Sequence, residues 1–100
     1  IKKALSLVKN RVGSKKTYLT FDIDFIDPAF APGTGTPEAG GFTGYDAISF
    51  IRGLTEINFI GFDMVEVMPP YDPAHITSLL AANIIYEFIS LIAVQKKLNN

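Results

Sequence analysis

Two near-continuous apolar runs, TYLTFDI at residues 17–23 and NFIGFDMVEV at 58–67, bound what this chain can fold into. β-branched and aromatic residues dominate the first, as in strands of a parallel sheet covered on both faces. It ends near Asp24, and the second run stops at Pro69 and Pro70, which cannot both continue a ladder. A helix is expected between them. Thr43 and Asp46 stand at capping-box spacing, and Ile48, Ile51 and Leu54 follow at helical intervals to about Glu56. IKKALSLVKN reads as a helix ahead of the first strand, and Asp72 with Pro73 reads as the N-cap and first turn of a last helix reaching about Leu98. Strands alternating with helices predict an α/β fold with a parallel sheet and right-handed crossovers.

Residues 25–42 hold three prolines and four glycines, too many breakers for regular structure. A loop of that length in a compact domain is usually functional. Its glycines allow close backbone approach or positive φ, although a Gly-rich loop alone is a weak signal.

Composition removes several classes of function. With 48 % hydrophobic and 19 % charged residues, the 100-residue chain is one globular domain's worth. Nine basic and ten acidic residues are spread along it for a net charge of −1, so no footprint for nucleic acid or an anionic membrane is present. The absence of cysteine excludes disulfides and thiolate metal sites and fits a reducing compartment. Any metal must be held by oxygen or by the lone histidine, His75. The chain opens without Met, and its first apolar stretch is too short and too interrupted by charge for a signal peptide, which suggests an excerpt of a longer protein. Residues 76–94 could be mistaken for a membrane span, but Asn83 and Glu87 sit at their centre, so a helix buried between protein layers is expected.

In open parallel sheets, ligands bind beyond the carboxyl ends of the strands. Asp22 and Asp24 close the first strand there, and Glu66 nearly closes the second. Strand alternation puts Asp22 and Asp24 on one side, with Cα atoms about 6.5 Å apart, and Phe21 and Ile23 on the other. Two carboxylates that close repel unless one is protonated or a cation lies between them. A hard divalent ion such as Mn²⁺ or Mg²⁺ suits such oxygen donors. Spacing alone leaves a second option open, in which the acids cap a helix or bond a loop backbone. Asp27, before Pro28, is expected to form a turn. Asp63, three residues before Glu66, faces the other side of the strand and is read as structural. His75 matches no ligand motif and is given a solvated or capping role.

The stretch TFDIDFIDPAFAPGTGTPEAGG, residues 20–41, resembles the third signature of the ureohydrolases, the arginase and agmatinase family, in its D-x-D, the following D-P, the later proline and the closing G-G. GFDMVEVMPPYD, residues 61–72, is similar to the family segment that supplies an acid to the guanidinium group. The resemblance covers nearly the whole chain and implies the C-terminal part of one catalytic domain, residues 1–100. It further implies a three-layer α/β/α fold and a binuclear Mn²⁺ centre that activates a bridging water to attack the guanidinium carbon and release urea. By motif position, Asp22 and Asp24 would be metal ligands, while Glu66 and Thr36 would contact the substrate; for Thr36, a hydroxyl bonding the loop backbone is an equal alternative. PGTGTP and VEVMPPYD look more like agmatinases than arginases, so agmatine, giving putrescine and urea, is the expected substrate. Arginine and guanidinobutyrate are the alternatives. A cytoplasmic homo-oligomer is expected.

The family's further ligands, a histidine and a D-x-H-x-D cluster, precede this region and are absent here. The chain alone is therefore expected to lack a competent site. Two other readings stand beside a working hydrolase: a family member that has lost catalysis and serves as a binding subunit, and an unrelated α/β module with a chance D-x-D.

Overall fold

The computed structural model describes residues 1–99. Its elements follow the expected order: α1 (Lys2–Val12), β1 (Thr17–Asp22), α2 (Gly44–Gly53), β2 (Phe59–Val65) and α3 (Ile76–Asn99), with single 3₁₀ turns at Ile23–Phe25, Pro69–Tyr71 and Pro73–His75. The two strands pair in parallel, from Thr17 opposite Phe59 to Asp22 opposite Val65, with a bulge after Thr17.

Several boundaries differ from the sequence expectation; β2, for one, ends at Val65 rather than Val67, which leaves Glu66 beyond the strand where its φ turns positive. β1 stops at Asp22 because that carboxylate accepts the Asp24 N–H at 3.0 Å and rolls the chain into a 3₁₀ turn. Asp24 is thus off the strand. The capping box at Thr43 and Asp46 forms as expected, with bonds of 3.0 and 3.2 Å, but α2 ends at Gly53 rather than near Glu56. α3 begins at Ile76, because Ala74 and His75 take positive φ of 53° and 60° and break the helix that Pro73 would open. Asp72 caps it from further back. Its carboxylate accepts the N–H groups of Thr77 at 2.8 Å and Ser78 at 2.9 Å, together with the Ser78 hydroxyl at 2.7 Å. Desolvation works against the charge, yet these bonds win and hold the Asp72 carboxyl down at about 2.

All three helices lie on one face of the sheet. Leu19 and Phe21 of β1, with Phe59, Phe62 and Met64 of β2, pack beneath α2 and α3. Phe88 of α3 is buried among them, stacked on Phe62 at 4.7 Å and edge-on to Phe59 at 6.3 Å. Glu87 pairs with Arg52 of α2 at 2.6 Å. α3 is long and apolar enough to cross a membrane by length and composition alone. Burial of Ile84 and Phe88 and the Glu87 pairing are instead contacts of a helix laid on a sheet.

The opposite face is bare. Tyr18 and Ile60 are exposed on it, and Asp63 accepts hydrogen bonds from Thr20 at 2.6 Å and Tyr18 at 3.0 Å across the strand pair. That is the structural role expected of Asp63, and its hydrogen bond raises the Tyr18 pKa. Among the described residues there is one helical layer and a two-stranded sheet.

Candidate functional site

Parallel pairing brings the carboxyl ends of β1 and β2 side by side, and Asp22 stands opposite Val65. Glu66 therefore leaves β2 at the edge from which Asp22 and Asp24 leave β1. Glu66 adopts φ 73°, a left-handed backbone that a residue with a Cβ seldom takes. The two aspartates lie close, though not by the strand alternation that the sequence suggested. The 3₁₀ turn folds Asp24 back over Asp22, whose Oδ1 takes the Asp24 N–H. The Asp22 carboxyl is pushed above its ordinary range, first by desolvation; the Asp24 N–H opposes this, and hydrogen bonding and charge from the Asp24 carboxyl add to it. The capping reading of D-x-D is thus met at Asp22, whose Oδ1 caps the 3₁₀ turn.

The loop after this turn is fastened at three points. At its base, Ile26 and Phe42 form a bridge, with the Asp27 N–H donating to the Phe42 carbonyl at 2.8 Å. Inside it, Asp27 accepts from the N–H groups of Ala29 at 2.8 Å and Gly40 at 2.9 Å, the turn-forming role expected. At mid-length, Gly33 donates to the buried Thr77 hydroxyl at 2.6 Å and accepts the Met68 N–H at 2.8 Å. Any Cβ on Gly33 would fall 2.6 Å from Asp72 Cβ, so the loop can dock there only as glycine. Three residues further on, the Thr36 hydroxyl donates to Asp24 Oδ2 at 2.9 Å.

The structure therefore brings Asp22, Asp24 and Thr36 together at the end of β1 and leaves His75 exposed on the turn before α3. Thr77 was invisible as a site residue in the sequence. Its one signal is position, since a hydroxyl in the first turn of a helix capped by Asp72 faces the loop that Gly33 opens. A groove of about 340 Å³ between β1 and α2 touches Asp22 but is lined mainly by Leu19, Phe21, Phe25, Phe42 and Phe50. Asp24, Thr36 and Glu66 lie outside it, so it is an apolar packing groove rather than a seat for a cation.

Two carboxylates this close, of which Asp22 is pushed above its ordinary range first by desolvation and then by Asp24, are hard oxygen donors of the type that Mn²⁺ or Mg²⁺ accepts. They fit as part of a metal site. No group of three or more His, Cys, Asp or Glu side chains able to hold an ion occurs among the described residues. Other ligands would have to come from elsewhere.

The family model described as the arginase family matches residues 1–90. The agmatinase of Salmonella paratyphi B is 52 % identical over 92 residues, covering 92 % of this chain and 30 % of that protein. Among solved structures, a hypothetical agmatinase from Burkholderia thailandensis superposes with a TM-score of 0.92 at 46 % identity, covering 96 % of this chain and 31 % of that one. The proclavaminate amidino hydrolase of Streptomyces clavuligerus does so with a TM-score of 0.84 at 41 % identity, covering 87 % and 29 %. The chain spans about 30 % of the length of the curated relatives that it matches.

Proposed function

This chain belongs to the arginase family, and from that premise we propose that it carries the C-terminal share of the active site of a manganese-dependent hydrolase that releases urea from agmatine. The observation that carries the reading is the fold of Asp24 onto Asp22 at the carboxyl end of β1, in register with the segment that delivers Glu66. Agmatine is favoured over arginine by the PGTGTP and VEVMPPYD stretches and by the 52 % identity to a relative named agmatinase.

Asp22 and Asp24 would hold the metal. Bound there, Mn²⁺ would supply Lewis acidity, lowering the pKa of water from about 15.7 towards about 7 and offsetting charge that develops during attack. The chain's own groups do the rest. Glu66 offers a planar, cationic guanidinium two parallel charge-assisted hydrogen bonds. Its positive φ marks a strained backbone immediately after β2, which supports a site at the strand end. Thr36 already gives its one proton to Asp24, so towards a guanidinium N–H its oxygen acts as an acceptor. Further ligands come from outside the described residues, and we extend the proposal to a homo-oligomeric, cytoplasmic assembly.

The test is urea release by the intact protein from agmatine, arginine and guanidinobutyrate with added Mn²⁺. Turnover of agmatine, abolished in Asp24→Asn along with most Mn²⁺ affinity, is the expected result. Unchanged Mn²⁺ affinity in Asp24→Asn would overturn the metal reading. Mn²⁺ binding without turnover of any of the three would leave a binding subunit.

A further inference from the structure

Gly33 is held from two sides. Its N–H donates to the Thr77 hydroxyl at 2.6 Å, and its carbonyl accepts the Met68 N–H at 2.8 Å. Thr77 is wholly buried in the first turn of α3. Its place is set by Asp72, whose Oδ1 accepts the Thr77 N–H at 2.8 Å, and the Asp72 side chain fills the space that a Cβ on Gly33 would need. Gly33 is not among the glycines with positive φ, so space rather than backbone conformation requires glycine there. These contacts tie two separate segments together: Gly33 stands three residues before Thr36 on one, and Met68 two residues after Glu66 on the other. A buried N–H without an acceptor is costly. Removing the Thr77 hydroxyl therefore shifts the loop instead of leaving an orphaned amide in place.

From this geometry we infer that Thr77 is a positioning residue for substrate binding, which acts through Gly33 to hold the loop carrying Thr36 against the segment carrying Glu66. The inference rests on the reading of Glu66 and Thr36 as substrate contacts given above. It adds that recognition of the guanidino compound is set from the first turn of α3. A displaced loop weakens contacts made to substrate and transition state alike, which raises KM and spares kcat.

The experiment is steady-state hydrolysis of agmatine by the intact protein at saturating Mn²⁺, with thermal melts alongside, for Thr77→Val, Thr77→Ser, Gly33→Ala, Glu66→Gln and Ile84→Val. The last loosens the buried side of α3 two turns further along and serves as the control for lost stability. The expected result for Thr77→Val is a KM raised roughly 2–10-fold, the worth of one hydrogen bond, with kcat held. Thr77→Ser is expected to restore KM, Gly33→Ala to raise it from the loop side of the same contact, and Ile84→Val to lower the melting temperature with KM unchanged. Wild-type KM in Thr77→Val would overturn the inference, however far the melting temperature fell. Should that variant not fold, wild-type KM in Gly33→Ala would do the same. A raised KM in Thr77→Ser would give the effect to the lost methyl, and an equal rise in Ile84→Val would make it general loosening; either overturns the positioning role. Glu66→Gln separates this inference from its premise. If Glu66→Gln loses kcat/KM while Thr77→Val is unmoved, only the role of Thr77 falls; if Glu66→Gln is unmoved, the substrate reading has failed and the inference with it.

Discussion

Glu66 stands between two valines in a run that reads as strand, yet its φ is 73°. A residue with a Cβ pays about 1–2 kcal/mol to sit in that region, a cost that the carboxylate's proposed role at the strand end would account for. Two substitutions separate strain from chemistry. Glu66→Gly removes the strain and the carboxylate together, and is expected to raise the melting temperature while abolishing turnover of guanidino compounds. Glu66→Gln keeps the shape and removes the charge; a fall in kcat/KM of roughly 10–100-fold is expected from the loss of a charged hydrogen-bond acceptor. Unchanged kinetics in Glu66→Gln would remove Glu66 from the site. The position of Glu66 was legible in the sequence, from its place near the end of an apolar run. Its backbone was not, because no Gly or Asn marks the reversal. Asp24 shows the same limit. Alternation placed it correctly beside Asp22 for a reason that does not hold, since a side-chain cap ended the strand two residues early.

The start of α3 is where element-level expectation and structure diverge most usefully. Asp72 and Pro73 announce a helix, and Asp72 does cap one, but across a turn in which Ala74 and His75 are left-handed. Neither residue type signals that. The departure brings Thr77 and Asp72 against Gly33, so the same carboxylate that starts α3 also walls the docking place of the loop. Its folded-state pKa of about 2 lies below the ordinary value of 3.8, so the charged form is the one that the fold prefers. That contribution is complete above the ordinary value and is lost as pH falls through about 2. Thermal melts of Asp72→Asn and wild type are therefore expected to differ at pH 5 and converge towards pH 2; a constant gap would show that the charge of Asp72 is not what holds the turn. Deeper in the helix, Phe88 was legible only as one of many apolar positions, because α3 is apolar nearly all round and its period does not reveal which side is buried. The structure picks Ala81, Ile84 and Phe88 for the inner side. Phe88→Ala is expected to cost about 3–5 kcal/mol by denaturant titration, as against a few tenths for a truncation of the exposed Tyr86, and equal effects would place the wrong face inward.

The described surface is larger than a self-contained domain of this mass should have. At 6548 Å² it exceeds the roughly 5,600 Å² expected for a folded monomer of 10.9 kDa. A radius of gyration of 14.1 Å is likewise above the ~13 Å of a compact chain of this length. The excess is not spread evenly. Tyr18 and Ile60 lie on the bare face of the sheet, Leu79, Tyr86 and Ile89 line the outer side of α3, and both edges of the two-stranded sheet are open among the described residues. Parallel sheets occur almost only with both faces covered, and two strands alone are marginal. This explains why the sequence spoke so clearly of a parallel sheet with helices on both faces while the described residues supply one helical layer: the apolar runs are written for an environment larger than these elements provide. The same deficit holds at the candidate site, where no group of three or more potential metal ligands occurs among the described residues. The 100 residues produced alone are therefore expected to bind a hydrophobic dye, to show weak near-ultraviolet circular dichroism, and to release no urea from agmatine at any Mn²⁺ concentration. Urea release at enzyme-like rates from that chain would mean that Asp22, Asp24 and Glu66 suffice, and the need for outside ligands would be wrong. A well-packed, dye-free but inactive chain would divide the question, leaving the ligand count intact and showing that the exposed apolar faces need no cover.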